Sequence, residues 1–304
     1  MNPFARRCLG ATAGLLADRV LPEPPNTFHP VAWFGTAMQR VENEVWDDTR
    51  SAGMAYAVAG IGIGAAAGML LRSPALAVAL TAAGSELRSI GARIGNSIDP
   101  NNLDAARAEL SSLVGRDPSQ LDASGISAAV IESVAENTVD AVIAPVFWAL
   151  IFGAPGACAY RAINTMDAMV GRRNERYENF GWASARIDDV ANYIPARIFA
   201  ALVAVQTPEQ IPDIVQAIEQ YASAHPSPNA GVAETAMAAS IGRELGGPLR
   251  YGDVLEDRPR LGSGPRPTPT DVPASITVAN RAELLAVIGL ACIGLINFRA
   301  VAPQ

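Results

Sequence analysis

The sequence predicts an all-α fold, that of a polytopic integral membrane protein with substantial polar loops and amphipathic helices. Half of the 304 residues are hydrophobic. The mean hydropathy of +0.18 is high for a soluble domain but low for a bundle made only of transmembrane helices. No stretch alternates polar and apolar residues convincingly, as a strand would. We therefore expect residues 1–304 to form a single membrane-embedded helical domain, with a helical hairpin buried in a soluble core as the alternative.

Two stretches are long enough to cross a bilayer, which takes about 20 residues of helix. They are residues 51–71, which carry no charge, and residues 141–160, where Cys158 and Tyr160 are the ionisable exceptions. Residues 73–85 and 284–298 are also apolar but shorter.

Small residues mark the first of these stretches as a packing surface. Gly60, Gly64 and Gly68 recur every four residues. On a membrane helix this spacing lets a neighbouring helix approach closely.

Proline, glycine and hydrophobic periodicity place the elements in order. The predicted helices cover residues 8–20, 31–45, 51–85 as an apolar hairpin, 86–114 with an interruption at Asp99-Pro100, 127–160 with kinks or a turn at Pro145, Gly153 and Pro155, 161–167, 184–204, 211–221, a helix from about Val232, and a last apolar segment. The predicted connections are an extended loop at 21–30, a polar link at 171–181, a loop after His225, and a Pro/Gly-rich loop at 250–273 before the last helix.

An acidic stripe lies next to the second long apolar stretch. Glu132, Glu136 and Asp140 recur every four residues, so a regular α-helix places them within an arc of roughly 80°. An ionised group at the bilayer centre costs about 2.5–3.5 kcal/mol. A metal ion or arginines would offset that cost, and arginines follow between residues 161 and 197. The stripe predicts a polar site, with a solvated, salt-bridged helix face as the alternative.

The basic residues are all arginine, because the 23 Lys+Arg residues include no lysine. This excludes a phosphate-loop lysine, a Schiff base and a lysine general base. The guanidinium fork suits carboxylates and phosphates, although genomic base composition is an alternative cause of the lysine deficit. The net charge of −7 argues against nucleic acid as a partner. With two histidines and three scattered cysteines, we expect a hard ion such as Mg²⁺ rather than zinc.

A series of polar motifs extends along the chain. In order they are Asp18, His29-Pro-Val31, Glu132-Ser-Val-Ala-Glu-Asn-Thr-Val-Asp140, Tyr160-Arg-Ala-Ile-Asn-Thr-Met-Asp167, Gly171, Asn174-Glu-Arg-Tyr177, Phe180-Gly-Trp182, Ala185-Arg-Ile-Asp-Asp189, Asn192-Tyr-Ile-Pro-Ala-Arg197, Ser227-Pro-Asn-Ala-Gly231, Gly246-Gly-Pro248, Tyr251-Gly252 and Arg258-Pro259. The series closely resembles the adenosylcobinamide-phosphate synthase family of cobalamin biosynthesis, over nearly the whole chain. The apolar spans between the motifs are short, and 201–212 is weak for a crossing, so the number of crossings stays open.

This resemblance implies an integral membrane enzyme that joins adenosylcobyric acid to aminopropanol phosphate, or to free aminopropanol, through an amide bond. ATP is then the co-substrate and Mg²⁺ the expected ion. The expected partners are the corrinoid and amine substrates and membrane lipid, while other late enzymes of the pathway and an oligomer stay open. We expect a multi-pass protein of the cell membrane whose active site faces the cytoplasm, where ATP is available. Arginines flank both ends of most spans, so they do not fix the orientation.

The motifs supply the candidate site residues. As catalytic residues we expect the carboxylates Glu132, Glu136, Asp140, Asp188 and Asp189, of which the first three also serve as magnesium ligands. One carboxylate would accept the ammonium proton. Substrate and phosphate binding is assigned to His29, Asn137, Arg161, Asn164, Asp167, Arg172, Arg173, Arg176, Tyr177, Asn192, Arg197, Ser227 and Asn229.

Each group of binding residues has a structural alternative. Arginines at a membrane edge also extend towards the headgroups without binding substrate. Asparagines also pack helices, and His29 and Ser227 lie in sequences typical of rigid proline turns.

Two other classes of membrane protein compete with an enzyme. A transporter or ion-coupled protein also carries intramembrane carboxylates, and an inverted repeat, which is not found in the sequence, would favour it. A membrane sensor or scaffold would not need so many paired acids and arginines.

Overall fold

The computed structural model describes residues 2–99, 101–114, 117–172, 174–247, 249–251, 254–256 and 258–299. This part of the chain is mainly helical, as predicted. The α-helices are α1 (Pro3–Val20), α2 (Pro30–Val45), α3 (Arg50–Leu71), α4 (Pro74–Thr81), α5 (Gly84–Ser97), α6 (Asp104–Leu110), α7 (Ala123–Thr138), α8 (Ala144–Phe152), α9 (Ala154–Val170), α10 (Trp182–Ala204), α11 (Ile211–Tyr221), α12 (Ala230–Ile241) and α13 (Val272–Arg299), with a π-helical turn at Val139–Ile143 between α7 and α8.

Four short strands correct the expectation that the chain has none. β1 (Leu245–Gly246) pairs antiparallel with β4 (Arg260–Leu261), and β2 (Leu249–Tyr251) pairs antiparallel with β3 (Val254–Glu256). Most of this structure falls in the segment predicted as a Pro/Gly-rich loop at 250–273. Strands of two or three residues are too short to show the alternation that identifies a strand in a sequence.

Three helical stretches are long and apolar enough to cross a membrane: Arg50–Leu71, Ala123–Phe152 and Pro269–Phe298. A fourth crossing results if Trp182–Ala204 and Pro208–Ala224, which are bent by 119°, form one broken span or a re-entrant loop. These helices confirm the predicted all-α membrane protein.

The span predicted at 141–160 has the wrong boundaries. The helix ends at Phe152, and α9 begins directly after Gly153. Gly153 has a φ of +70°, which favours glycine, and Pro155 lies in the first turn of α9, where proline is well tolerated. The turn predicted at Gly153 and Pro155 is therefore confirmed. It ends the span, which starts earlier than predicted, at Ala123.

The chain divides into two compact units. The first comprises Met1–Ala83, Asp140–Asn192 and Ala286–Gln304, and the second comprises Gly84–Val139 and Tyr193–Leu285. The single domain expected over 1–304 stays a prediction.

In the first unit, α3 packs tightly against α9 along the predicted glycine surface. A Cβ added at Gly64 would lie 2.7 Å from the carbonyl oxygen of Cys158, and one at Gly68 would lie 2.4 Å from that of Ala154. Both distances are too short for a real side chain. The close approach predicted from the spacing is thus confirmed.

A hydrophobic core in the first unit joins α2, α3, α9 and the segment before α10. Its buried members are Met38, Tyr56, Met166, Val170 and Phe180. The rings of Tyr56 and Phe180 are 5.1 Å apart between centroids. This core fixes the C-terminal half of α9, where several polar motif residues lie.

In the second unit, α7 packs against α5 and α12. Two buried carboxylates add contacts between other elements of this unit. Glu132 on α7 accepts a hydrogen bond at 2.8 Å from the Gly246 backbone N–H of β1, and Glu283 on α13 forms an ion pair with Arg88 of α5.

Candidate functional site: a network of carboxylates and amides

The helix that carries the acidic stripe does not stay α-helical as far as Asp140. Val139–Ile143 forms a π-helical turn, and such turns occur frequently at functional sites. The carbonyl oxygen of Ala141 in this turn accepts a hydrogen bond at 3.0 Å from the backbone N–H of Ala83. Asp140 therefore lies in a π-helical turn and not in the regular α-helix that the sequence predicted for it.

Five polar side chains of the first unit form a connected group, which we call the Asp140 network: Asp140, Tyr160, Asn164, Asp188 and Asn192. The Tyr160 hydroxyl donates to Asn192 Oδ1 at 2.8 Å and lies 3.3 Å from Asp140 Oδ1. Asn164 Nδ2 donates to Asp140 Oδ2 at 3.0 Å and lies 3.5 Å from Asp188 Oδ1. Asn192 Nδ2 donates to Asp188 Oδ2 at 3.0 Å.

Helical spacing explains how these residues meet. Tyr160 and Asn164 are four residues apart on α9, and Asp188 and Asn192 are four residues apart on α10. Residues at this spacing share one face of a helix. Each helix therefore contributes two neighbouring polar groups.

A proline and a tryptophan fix α10 at this place. Pro195 inside α10 has no backbone N–H, so the carbonyl of Ala191, four residues earlier, has no partner within the helix. Trp148 Nε1 on α8 donates to this carbonyl at 3.1 Å. The indole therefore satisfies the carbonyl next to Asn192 and ties α10 to α8.

In the Asp140 network, two carboxyl groups lie close together with neutral hydrogen-bond partners. The hydrogen-bond partners of Asp140 and Asp188 are the neutral groups of Tyr160, Asn164 and Asn192. In the described part of the chain, no arginine lies within ion-pair distance of either carboxylate, although Arg161 acts on Asp140 through space. Two neighbouring carboxylates without a direct counter-ion attract a cation. The arrangement suits a substrate ammonium or a metal ion.

Asp167 lies near the network on α9, outside the candidate spans. Burial raises its pKa to about 6, the Asp140 and Asp189 carboxylates act in the same direction, and Arg172 opposes them. A Cβ added at Gly171 would lie only 1.9 Å from Asp167 Oδ1. A carboxylate with a pKa near 6 is well suited to accept a proton near neutral pH.

A cavity of about 110 Å³ lies beside Arg161. Its walls come from α2, α3, α4 and α9, and among the described residues that line it Arg161 alone is charged. The Nε–H of Arg161 is buried and has no hydrogen-bond acceptor among the described residues. A buried donor without an acceptor costs about 1–3 kcal/mol. The cavity thus offers an unused donor to an anionic group.

A second buried acidic site in the same unit includes an arginine as the partner of its carboxylate. We call it the Glu42 cluster: Gln39, Glu42, Arg176 and Tyr177. Glu42 is almost fully buried and accepts from Arg176 Nη2 at 3.0 Å, from the Tyr177 hydroxyl at 2.9 Å and from Gln39 Nε2 at 3.0 Å. The hydrogen bond to Glu42 raises the pKa of Arg176. Arg176 also lies 4.7 Å from the centroid of the Trp46 ring.

The three acidic residues of the stripe have different surroundings. Glu132 and Glu136 belong to the second unit and Asp140 to the first. Glu132 is engaged by Gly246, while Glu136 is exposed. Within the described residues, no three side chains of His, Cys, Asp or Glu are arranged to hold a metal ion. Magnesium binding by Glu132, Glu136 and Asp140 stays a prediction.

Comparison with known proteins identifies the family. The sequence matches the family described as CobD/Cbib protein over residues 11–279. The chain belongs to the CobD/Cbib protein family. No solved structure shows a significant match.

Curated relatives in the CobD/Cbib family cover nearly the whole chain. The chain is 40% identical over 291 residues to Cobalamin biosynthesis protein CobD of Mycobacterium tuberculosis, covering 91% of this chain and 93% of the relative. It is 38% identical over 283 residues to a protein of that name from Rhodobacter capsulatus, covering 87% and 90%. It is 36% identical over 309 residues to that of Photorhabdus laumondii subsp. laumondii, covering 93% and 96%.

The predicted site residues of this CobD/Cbib protein separate into groups. Asp140, Asn164, Asp188 and Asn192 meet in the Asp140 network, and Arg176 and Tyr177 meet in the Glu42 cluster. The other predicted residues contact local partners or lie apart: Asp189 pairs with Arg186 at 3.0 Å, Arg197 Nη1 donates to the Tyr193 carbonyl at 2.7 Å, Asn137 Nδ2 donates to the Ser133 carbonyl at 2.8 Å, and Arg172 is exposed. Arg173 lies outside the described residues.

The two predicted proline-turn residues begin helices in this CobD/Cbib chain. His29 Nδ1 accepts from the backbone N–H of Val31 at the start of α2, at 3.1 Å. Ser227 Oγ accepts from the backbone N–H groups of Asn229 and Ala230 at 3.3 and 3.2 Å. These contacts account for the turns, and substrate contact by His29, Ser227 and Asn229 stays a prediction.

Three residues of these sites were not selected from the sequence: Tyr160, Glu42 and Gln39. Tyr160 stands at the end of an apolar stretch, and its spacing of four residues before Asn164 is the signal that indicates a shared face. Glu42 lies in an ordinary amphipathic helix, far in sequence from Arg176, and no local pattern marks it as that arginine's partner.

Proposed function

We propose that this CobD/Cbib protein is an adenosylcobinamide-phosphate synthase. It joins a carboxylate of adenosylcobyric acid to the amine of (R)-1-aminopropan-2-ol O-phosphate in an amide bond, with ATP as the co-substrate. The observation that carries the proposal is the family match over residues 11–279, because the matched relatives bear the name of cobalamin biosynthesis proteins. The Asp140 network supports it with groups suited to the amine.

A carboxylate does not condense with an amine near neutral pH unless it is activated. In the proposed reaction, a carboxylate oxygen of the corrinoid attacks the γ-phosphorus of ATP, and ADP leaves. The amine nitrogen then attacks the acyl carbon of the acyl phosphate, and inorganic phosphate leaves as the amide forms. The proton lost by the ammonium group needs an acceptor, and Asp167, whose pKa is raised to about 6 by burial, fits that role.

The amine substrate carries opposite charges at its two ends, and two neighbouring features match them. Its ammonium group matches the uncompensated carboxylates Asp140 and Asp188. Its phosphate matches Arg161, whose buried Nε–H has no acceptor among the described residues. Charge-assisted hydrogen bonds of this kind are roughly twice as strong as neutral ones. The small apolar cavity beside Arg161 suits the methyl group of a three-carbon amino alcohol.

The Asp140 network suits Mg²⁺ only if substrate phosphates supply some of the ligands of the ion. Mg²⁺ prefers oxygen ligands and is often held by one or two carboxylates together with waters and substrate phosphates. Asp140 and Asp188 supply two carboxylates with neutral neighbours. Bound there, the ion would neutralise phosphate oxygens of ATP.

The proposed site faces the cytoplasm, because ATP is available on that side. The same uncompensated carboxylates also suit a cation pathway in a transporter. The two functions differ in their product, since a transporter forms no new bond.

The decisive experiment is amide formation by the purified protein in detergent, given adenosylcobyric acid, aminopropanol phosphate, ATP and Mg²⁺. Mass spectrometry of the corrinoid is expected to show the amide product, and only when ATP is present. With ¹⁸O in the substrate carboxylate, one label is expected in the released phosphate if an acyl phosphate forms. Folded protein that binds the corrinoid but forms no amide would overturn the synthase proposal.

A further inference from the structure

A second cavity of the first unit is lined by arginines and lies apart from the residues assigned to the synthase. It has a volume of about 430 Å³ and is lined by Arg6 and Arg7 of α1, Arg72 at the end of α3, and the turn at Gly153. None of the described residues that line it is acidic. The described lining of the cavity therefore carries three positive charges and no negative one.

The cavity lies where two candidate membrane spans end. Arg72 follows the last residue of Arg50–Leu71, and Gly153 follows the last residue of Ala123–Phe152. Since both span ends meet at one cavity, we place the cavity at the boundary between hydrocarbon and headgroups. Large apolar side chains beside it are exposed: Met69 is 62% exposed, Leu70 83% and Phe152 58%. In a bilayer these side chains face acyl chains.

The arginines keep unused hydrogen-bond capacity. Arg6 Nη2 donates to the Arg72 carbonyl at 3.2 Å, and Arg7 Nη1 donates to the Leu150 and Ile151 carbonyls at 3.2 and 2.6 Å. These bonds cap the C-terminal ends of α3 and α8. Each guanidinium has five N–H donors, so most of the donors remain for another acceptor.

The charge of the arginines is not cancelled by the surrounding elements. Residues 1–17, 49–85 and 141–166, which include all the described residues that line the cavity, contain no Asp or Glu. The partial negative charges at the C-terminal ends of α3 and α8 are balanced by the partial positive charges at the N-terminal ends of α4 and α9, each about half an elementary charge. The three guanidinium charges therefore remain uncompensated.

We propose that this cavity binds the phosphate headgroup of an anionic phospholipid. The phosphate oxygens accept hydrogen bonds from Arg6, Arg7 and Arg72, and the acyl chains lie over Met69, Leu70 and Phe152. Arginine forks match phosphate geometry, and basic pockets between membrane helices bind such headgroups. A soluble phosphate shares the headgroup chemistry, but the exposed apolar rim favours a lipid. This site is independent of the proposed synthase reaction.

The test is lipid binding to the full chain in mild detergent, measured by native mass spectrometry after incubation with phosphatidylglycerol diluted in phosphatidylcholine vesicles. We expect one retained phosphatidylglycerol per chain. Arg72→Gln should weaken its binding about fivefold and the double variant Arg6→Gln/Arg72→Gln about twenty-fivefold, taking each arginine as a factor of about five. Arg40→Gln, which removes an exposed arginine of α2 elsewhere in the unit, should bind as the wild type does.

Three outcomes would overturn the proposal. One is equal retention of phosphatidylglycerol and phosphatidylcholine by the wild type. A second is equal loss in the Arg40→Gln and Arg72→Gln variants, which would mean that the arginines contribute only general surface charge. The third is displacement of the lipid by millimolar inorganic phosphate or ATP, which would assign the cavity to a soluble ligand. The first and third need only the wild type, so a misfolded variant would not leave the proposal untested.

Discussion

The Glu42 cluster and the Asp140 network are two acidic sites of the same unit, and they differ in what surrounds their carboxylates. Glu42 receives an arginine, a tyrosine hydroxyl and an amide. Asp140 and Asp188 receive amides and a tyrosine hydroxyl, but no guanidinium within ion-pair distance in the described part of the chain. The first site is electrically balanced, whereas the second is not.

This difference indicates which of the two sites can bind a charged ligand. A buried carboxylate that already has a cationic partner contributes to stability and leaves little attraction for a ligand. Two neighbouring carboxylates held by neutral donors repel each other, and a bound cation relieves this repulsion. We therefore interpret the Glu42 cluster as structural and the Asp140 network as the binding site for a cationic group.

The largest predicted effect concerns the proton acceptor beside the network. Asp167→Asn keeps the size of the side chain next to Gly171 but cannot accept a proton, so kcat for amide formation should fall by about 10²–10⁴. Steady-state rates of the purified variant test this. Asp213→Asn on the exposed face of α11 is the control and should retain wild-type rates. An Asp167→Asn enzyme with normal kcat would remove Asp167 from the mechanism.

The next effect concerns the arginine beside the small cavity. Arg161→Gln should raise the KM for aminopropanol phosphate about 10–100-fold, because a hydrogen bond to a charged group contributes about 1.5–3 kcal/mol. The KM for free aminopropanol should not change. Assays with both amines measure this, with Arg40→Gln as the control. Equal losses for both amines would contradict phosphate binding by Arg161.

A stability effect is expected at the Glu42 cluster. Glu42→Leu leaves the Tyr177 hydroxyl and the Gln39 amide without their acceptor, so the free energy of unfolding should fall by about 2 kcal/mol. A denaturant series in detergent measures the loss. Unchanged stability together with lost activity would instead support the predicted substrate role of Arg176 and Tyr177.

The smallest effect is a dependence on pH. The pKa of Asp167 is raised to about 6, so its base form and the rate should increase about tenfold between pH 5 and pH 7. The free energy of unfolding should change in the opposite direction. A carboxyl group whose pKa is higher in the folded than in the unfolded protein stabilises the fold below about pH 4. This stabilisation by Asp167 is lost as the pH rises through about 6. A rate profile and an unfolding profile over this range check both directions. A flat rate profile would exclude Asp167 as the base.

Much of the fold follows from local signals in the sequence. Glycine spacing predicted that a neighbouring helix packs closely on α3, and proline and glycine predicted the turn at Gly153. The end of the span at Phe152 was missed because apolar residues continue on both sides of it, so hydropathy shows no boundary. The short strands near Gly246 were missed because two or three residues carry no periodicity.

The candidate site was predictable only where its residues share a helix. Asn164, Asp188 and Asn192 were selected because they lie in the polar motifs, whereas no pattern of side chains announces the π turn that contains Asp140. The pairing of Glu42 with Arg176 joins residues far apart in the sequence. Such contacts depend on tertiary packing, so they become visible only in the structure.

We propose that amide formation takes place at the Asp140 network and not at Glu136, the exposed residue of the acidic stripe. The most direct measurement compares corrinoid amide formation by Asp140→Asn and Glu136→Gln proteins that bind the corrinoid and elute as the wild type does. We predict that Asp140→Asn loses at least about a hundredfold in rate, while Glu136→Gln stays within about threefold of the wild type. An active Asp140→Asn enzyme beside an inactive Glu136→Gln enzyme would contradict this account and move the site to the second unit.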